Sequence, residues 1–276
     1  MIFINGKLYS DFNSIPSHII NFFLFYNVYD FQLRYENGCI LFWEKNYFMM
    51  MSQLRRLRLK IPMSFTLEFF INHINELIKF DKKKCYLINL KFANNSIPSK
   101  ENPEPELILM IISKPVSSIV IKDINRIKEI SLFKDFTFRD HELSSISYLQ
   151  SDYKRIATID AIENNFDDNI ILNDKMNIIG SAIGNIFLLK ENLILSPSSK
   201  NGAPSSTLIN LFIEYIKNRS HFVFSDEPFG VFELQIADEL SILSFQSKIK
   251  PVEKYRKKTY EINRLPELFN SFVKTI

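Results

Sequence analysis

Three groups of side chains have the types and spacing that could do chemistry. Ser144 and Ser145 follow His141 closely. A serine hydroxyl becomes a nucleophile only beside a base that a third group orients, and nothing in the sequence puts His141 in that role. Lys154 lies ten residues after Ser144, in a segment with helical periodicity, and Lys134 ten before it. A lysine amine is the group that condenses with an aldehyde, and nothing in the spacing singles out either of these two for it. Ser205, Ser206 and Thr207 open a third segment, where a helix N-terminus offers backbone N–H donors to an anion.

Other chemistries have less support. His18, His73, His141 and His221 show no paired metal-ligand spacing, and Cys39 and Cys85 fall in different expected elements, which speaks against a metal site and a disulfide framework. Arg55, Arg56, Arg58 and Lys60, and then Lys82 to Lys84, are the basic clusters; each follows an expected helix end, where cations meet unpaired carbonyls. With 34 Lys plus Arg against 31 Asp plus Glu, the net charge of +3 predicts no polyanionic partner, and no nucleic-acid role is expected.

The elements that must position these groups alternate in type. Asn5-Gly6 and Asn37-Gly38 are hairpin signals between apolar-polar alternations, with strands expected at 30–35 and 39–43. Helical spacing covers 44–59, and a second helix to about Phe80 is capped by Ser64 or Thr66. Strands at 85–92 and 106–113 flank a polar loop at 93–105. Residues 113–118 read as a linker, separating an α+β unit at 1–114 from a second unit at 119–276. That second unit opens on a strand at 119–122. It continues with a helix at 152–164, strands at 170–172, 186–190 and 193–196, a helix at 206–217, a strand at 221–225, a short helix at 229–236, a strand at 240–245 and a last helix at 265–273.

At 46% hydrophobic residues the chain can bury a large core. Its longest apolar runs stop short of the roughly 20 residues that span a bilayer, and no secretion signal opens it, so a cytoplasmic, membrane-free protein is expected. Six glycines, about 2% against a usual level near 7%, leave few loops able to approach a phosphate through bare backbone.

The stretch SSISYLQSDYKRIATIDAIENNFDDNIILNDKMNIIGSAIGNIFLLKENLILSP, beginning at Ser144, resembles the core of the class IV aminotransferase family. Those pyridoxal-phosphate enzymes include branched-chain and D-amino-acid aminotransferases and 4-amino-4-deoxychorismate lyase. NGKLYS, the Asn37-Gly38 hairpin and EKNYFMMMSQLRRLRLKIPMSF resemble its N-terminal half. Asn185-Ile186-Phe187 and Ala237-Asp238-Glu239 are the most specific matches.

The departures fall where the resemblance implies cofactor contacts. Ser144 stands at the aldimine lysine, Met49 at a phosphate-holding arginine, Gly180 at the glutamate that binds the pyridine nitrogen, and Leu243 at a phosphate-facing threonine. Tyr26-Asn27-Val28 replaces a glycine-bearing turn, and Ser206-Thr207-Leu208-Ile209 replaces Gly-Ile-Thr-Arg. A thioether donates no charge-assisted hydrogen bond to phosphate, and a hydroxyl forms no Schiff base.

The resemblance implies an α+β, two-domain class IV fold: a small N-terminal α+β domain, a larger distorted-barrel domain, a cleft between them, and a homodimer. It implies a protein whose catalysis has been lost and which expects no cofactor, acting through a small-molecule ligand or a protein partner. In such a cleft Met49, Gly180 and Leu243 reduce polarity, Ser144, Tyr148 and Ser181 remain as polar groups with Ala182 beside them, and Ser205 to Thr207 form an anion-facing end. Two alternatives stand beside this: a pyridoxal-phosphate aminotransferase or lyase using a displaced lysine such as Lys154, and a cofactor-independent enzyme using Ser144, Ser181 or Tyr148.

Overall fold

Both Asn-Gly steps turn the chain. Asn5 (φ +41°) and Gly6 (+89°) join β1 (Ile2–Ile4) to β2 (Lys7–Tyr9), and Asn37 (+49°) and Gly38 (+103°) join β3 (Asn27–Glu36) to β4 (Cys39–Ile40). Two successive residues at positive φ match the twist of the flanking strands, and Asn and Gly adopt that conformation with least strain. The computed structural model describes residues 1–79, 83–121 and 123–275, so Lys82 and the expected helix end at Phe80 lie outside the described residues. The chain divides into two compact units, Met1–Ser118 and Ile119–Ile276.

In the first unit, β5 (Cys85–Asn94) and β6 (Leu107–Pro115) complete an antiparallel sheet of order β2-β1-β6-β5-β3-β4. Alternation along β1 decides its two faces. Ile2 and Ile4 pack with Ile108 and Met110 against the apolar side of α1 (Ser17–Phe25). Phe3 points the other way and stacks on His73 of α3 (Leu67–Ile78), ring centroids 4.1 Å apart. Thr66 caps α3 by accepting the Phe69 N–H at 3.2 Å. α2 (Trp43–Arg56) buries Met50 and Leu54, and its Trp43 ring meets Phe70 at 5.9 Å.

Two local expectations need correction here, and one helix was not foreseen. The expected strand at 39–43 ends at Ile40, because Phe42 takes φ +53° and Trp43 already opens α2. The helix expected over 44–59 stops at Arg56, with Arg58 at φ +55° reversing the chain. The apolar run at 19–25 is most of α1, whose many Phe and Ile residues gave no period to read.

The second unit is built on a curled sheet. β7 (Ile127–Leu132), β8 (Asp168–Leu172), β9 (Ile178–Ser181), β10 (Asn185–Lys190), β11 (Leu193–Leu195), β12 (Val223–Ser225), β13 (Glu239–Ser244) and β14 (Lys248–Tyr255) run in the order β12-β11-β10-β13-β14-β7-β8-β9, and β15 (Lys258–Thr259) pairs with β14. β9 ends that order while β10 stands third, yet only residues 182–184 join them. The sheet therefore bends round to bring β9 back toward β10, and the turn between them carries the Ser181 N–H on the Gly184 carbonyl at 2.8 Å.

Inward residues such as Ile130, Ile170, Ile186, Leu240, Ile242 and Val252 fill this half-barrel, each contributing about 1.5–3 kcal/mol by leaving water. α4 (Ser151–Glu163) covers β8 from outside through Ala157 and Ala161. α5 (Thr207–Arg219) and α7 (Arg264–Val273) pack through Phe212 and Phe269, centroids 5.4 Å apart, and α6 (Phe232–Ile236) contributes Leu234 to the half-barrel core. The expected strand at 119–122 does not form over its described residues: the Ile121 backbone instead exchanges hydrogen bonds with the Asn270 side chain, at 3.0 and 3.2 Å.

The Ala237-Asp238-Glu239 motif has a structural use. Glu239 is fully buried, and its two carboxylate oxygens accept the N–H groups of Arg264 at 2.8 Å and Leu265 at 2.9 Å, the first residues of α7. An anion there satisfies orphan helix donors and the positive end of the macrodipole. Asp238 accepts the Glu191 N–H at 2.6 Å and an Arg264 N–H at 3.1 Å, which hold its carboxyl below the usual range.

Candidate functional site

Ser144 is buried, and its hydroxyl oxygen accepts a backbone N–H. The His141 N–H donates to Ser144 Oγ at 2.7 Å while the Ser144 N–H donates to the His141 carbonyl at 2.9 Å, so the two residues close one turn. The imidazole does not serve as a base: His141 Nδ1 accepts the Leu143 N–H at 3.2 Å. Gln150, at the end of the 3-10 turn Ser147–Gln150 that also carries the half-buried Tyr148, donates to the Ser144 carbonyl at 2.5 Å and the Gly202 carbonyl at 2.8 Å. The Ser205 N–H reaches the Ser145 carbonyl at 2.9 Å. The segment 144–150 is thereby stitched to the loop preceding α5.

The turn between β9 and β10 closes on the same loop, through Asn185 Nδ2 donating to the Pro204 carbonyl at 2.8 Å. Gly180 has φ +150°, and a Cβ there would lie 3.1 Å from the Gly184 carbonyl oxygen. Gly184 is tighter still, since a Cβ would meet the Leu243 carbonyl oxygen at 2.6 Å. Ser181 is buried with its hydroxyl on the Gly184 backbone, at 3.3 Å to the carbonyl and 3.2 Å to the N–H; Ala182 donates its N–H to Asn169 at 2.9 Å, and Leu243 is fully buried. Ser144, Gly180, Ser181, Ala182 and Ser205 thus gather around one place in the second unit.

The anion-facing end is already partnered. Ser206 caps α5 by accepting the Ile209 N–H at 3.3 Å, Thr207 is buried in the first turn, and Ser205 Oγ exchanges with Asn210 at 3.3 Å. A hollow of about 230 Å³ beside this terminus carries the Asp226 carboxylate on its wall, which opposes an anion. In the first unit, Met49 is half-buried on α2, Met50 lies in the core, and Met51 lines a hollow of about 700 Å³ with Arg55 and Met63.

Lys154 and Asp168 complete the chemistry. Lys154 is on the packed face of α4, its Nζ 3.5 Å from Ser147 Oγ, and burial lowers its pKa to about 8 against the opposing field of Asp168. Asp168 is 1% exposed at the start of β8; burial pushes its carboxyl up to about 7, although the Ser181 hydroxyl and nearby N–H groups pull down. The Asn169 N–H donates to one carboxyl oxygen at 2.8 Å, and the other has no hydrogen-bond partner. A charged residue opening the apolar run DNIIL was the signal for Asp168, whereas nothing marked Gln150 in the sequence. Among the described residues no three potential metal ligands cluster, and no helix is long and apolar enough to cross a membrane.

The model of the family described as amino-transferase class IV matches residues 28–255. Three solved structures share the fold. A branched-chain aminotransferase of Thermoproteus uzoniensis, solved with norvaline, has a TM-score of 0.83 at 12% identity over 99% of this chain and 93% of that one. The enzyme of Thermobaculum terrenum in its pyridoxal-phosphate form gives 0.83 at 14% identity over 99% and 92%, and that of Escherichia coli 0.81 at 12% over 98% and 92%. No curated protein sequence matches the chain. Identities this low establish the fold and leave the chemistry to the site.

Proposed function

We propose, from the premise that this chain belongs to the class IV aminotransferase family, that it is a non-catalytic homologue which keeps the fold and serves as a ligand- or partner-binding protein. The observation that carries this reading is the state of Ser144: a buried hydroxyl enclosed in a backbone turn, at the position where the resemblance expects an aldehyde-capturing amine. Gly180 supports it. Its φ of +150° strains any L side chain, so the backbone there does not suit the glutamate that would engage a pyridine nitrogen. Leu243 offers no hydroxyl, and Asp226 sets a negative charge near α5. These residues do not fit pyridoxal phosphate.

Of the two other readings, the serine-based enzyme has the less support, because the Ser144 hydroxyl oxygen faces a backbone N–H and His141 Nδ1 accepts the Leu143 N–H. The displaced-lysine reading is supported by Lys154, half-buried on α4, whose amine pKa desolvation lowers to about 8. A homodimer and a cytoplasmic location belong to the proposal as well; light scattering of the purified chain tests the first. The deciding experiment is a visible spectrum after adding pyridoxal phosphate, followed by borohydride. A colourless protein without a reduced adduct is expected, and an internal-aldimine band that vanishes on reduction overturns the reading.

A further inference from the structure

We propose that the hollow between α2 and the segment returning after it is a binding site for a medium-chain alkyl carboxylate. The site lies wholly in the first unit, so it goes beyond the reading of the second unit given above and does not depend on the state of Ser144.

Two hydrogen bonds build the hollow. Past the end of α2, Arg58 at φ +55° reverses the chain, and residues 59–65 run back along the helix. The Leu59 N–H donates to the Leu54 carbonyl at 3.1 Å at one end, and the Tyr47 hydroxyl donates to the Phe65 carbonyl at 2.9 Å at the other. Phe65 is buried and its ring stacks on Phe69 of α3, centroids 5.3 Å apart, which fixes the far wall. Between the two ties the returning segment stands off the helix and leaves about 700 Å³ open. That volume is in the range of about 300–1,000 Å³ usual for ligand pockets.

The lining is polarised along its length. Tyr47, Met51 and Arg55, at i, i+4 and i+8, share one face of α2, with Phe48 and Arg56 beside them. Aromatic rings therefore stand at one end and both guanidinium groups at the other, and no lining residue is acidic. From Tyr47 to Arg55 the helix rises about 12 Å, a length that an alkyl chain of about ten carbons fills. Met63, on the rim, is 99% exposed; an unbranched thioether adapts readily to such a chain. Arg55 is exposed and forms no ion pair with any described residue, and its forked donors match a carboxylate. A place at a helix end accounts for positive charge there. It does not account for an apolar, acid-free trough leading up to that charge. A neutral ligand leaves the cations unused, and a small anion leaves the apolar length empty; an alkyl carboxylate meets both.

Calorimetric titration of the full chain with decanoate, hexanoate, acetate and decanol tests the site, and methyl spectra of isotope-labelled methionines locate the ligand in the wild type. The expected result is one decanoate per chain, held at least about tenfold more tightly than hexanoate or decanol, with no heat from acetate. The methyl signals of Met51 and Met63 should shift while that of Met176, in the second unit, stays in place. Arg55→Gln should weaken decanoate about tenfold, whereas Lys128→Gln, which removes an equal charge from the second unit, should leave it unchanged. Both side chains are exposed, so folding is not at risk, and circular dichroism checks it. Decanol bound as tightly as decanoate, shifts at Met176 without Met51 and Met63, an unaffected Arg55→Gln, or no decanoate bound at all overturns the inference. None of these outcomes alters the spectrum with pyridoxal phosphate, so the proposed function stands or falls separately.

Discussion

Replacing Glu239 by alanine exposes how much the fold depends on a residue that could be mistaken for a catalytic acid. Its side chain is fully buried, and the substitution leaves the N–H groups of Arg264 and Leu265 without acceptors at the start of α7. Each orphaned buried donor costs about 1–3 kcal/mol. The Arg264 guanidinium is not stranded, because it keeps Asp238 at 3.1 Å and the Glu191 carbonyl at 2.8 Å. The loss should therefore fall below the roughly 3–5 kcal/mol of a broken buried ion pair in which one charge is left alone, at about 2–4 kcal/mol. Glu239→Gln, which retains one acceptor oxygen, should lose about half as much. Urea unfolding followed by far-UV circular dichroism measures the shift, and hydrogen exchange locates it, with faster exchange at the first turn of α7. If Glu239→Ala unfolds at the wild-type midpoint with unchanged exchange in α7, the capping role assigned to this carboxylate is wrong.

Three other substitutions test the second unit. Gly184→Ala drives a Cβ to 2.6 Å from the Leu243 carbonyl, so a loss of at least about 2–3 kcal/mol is expected in a thermal melt. Gly180→Glu combined with Ser144→Lys should give a less stable protein that remains colourless with pyridoxal phosphate; a stable yellow double variant would refute the misfit assigned to this site. Asp168→Asn should change the pH dependence of stability. The folded carboxyl titrates at about 7, above its ordinary 3.8, so the unfolded chain releases the proton first and wild-type stability declines as pH rises through that window, by up to about 1.4 kcal/mol per unit. Lys154, lowered to about 8 from 10.5, acts in a higher window. The difference in melting temperature between Asp168→Asn and wild type should move in favour of the variant between about pH 5 and pH 8, and a difference constant with pH would exclude the burial assigned to Asp168.

Local chemistry made much of the fold legible. Asn5-Gly6 and Asn37-Gly38 state their turns outright, Thr66 and Ser206 mark helix starts by their hydroxyls, and the family blocks carry the class IV architecture. What escaped depends on partners distant in sequence. β7 and β14 pair in parallel with each other, and Pro251 interrupts the β14 pattern, so neither strand stands out in isolation. At the site, the sequence named candidate positions but not their surroundings. That Ser144 Oγ holds the His141 N–H and that Gln150 ties two loops follow from how residues 141–150 fold back on the loop before α5, which no linear pattern of these residues encodes.

The glycine pair at the bend of the half-barrel has a consequence for redesign. With the backbone at position 180 in a conformation open to residues without a side chain, and position 184 within contact of β13, no single substitution installs a charged group at either place without moving its neighbours. The hairpin would have to be rebuilt first, so chemistry grafted onto this unit must start from positions elsewhere on the sheet.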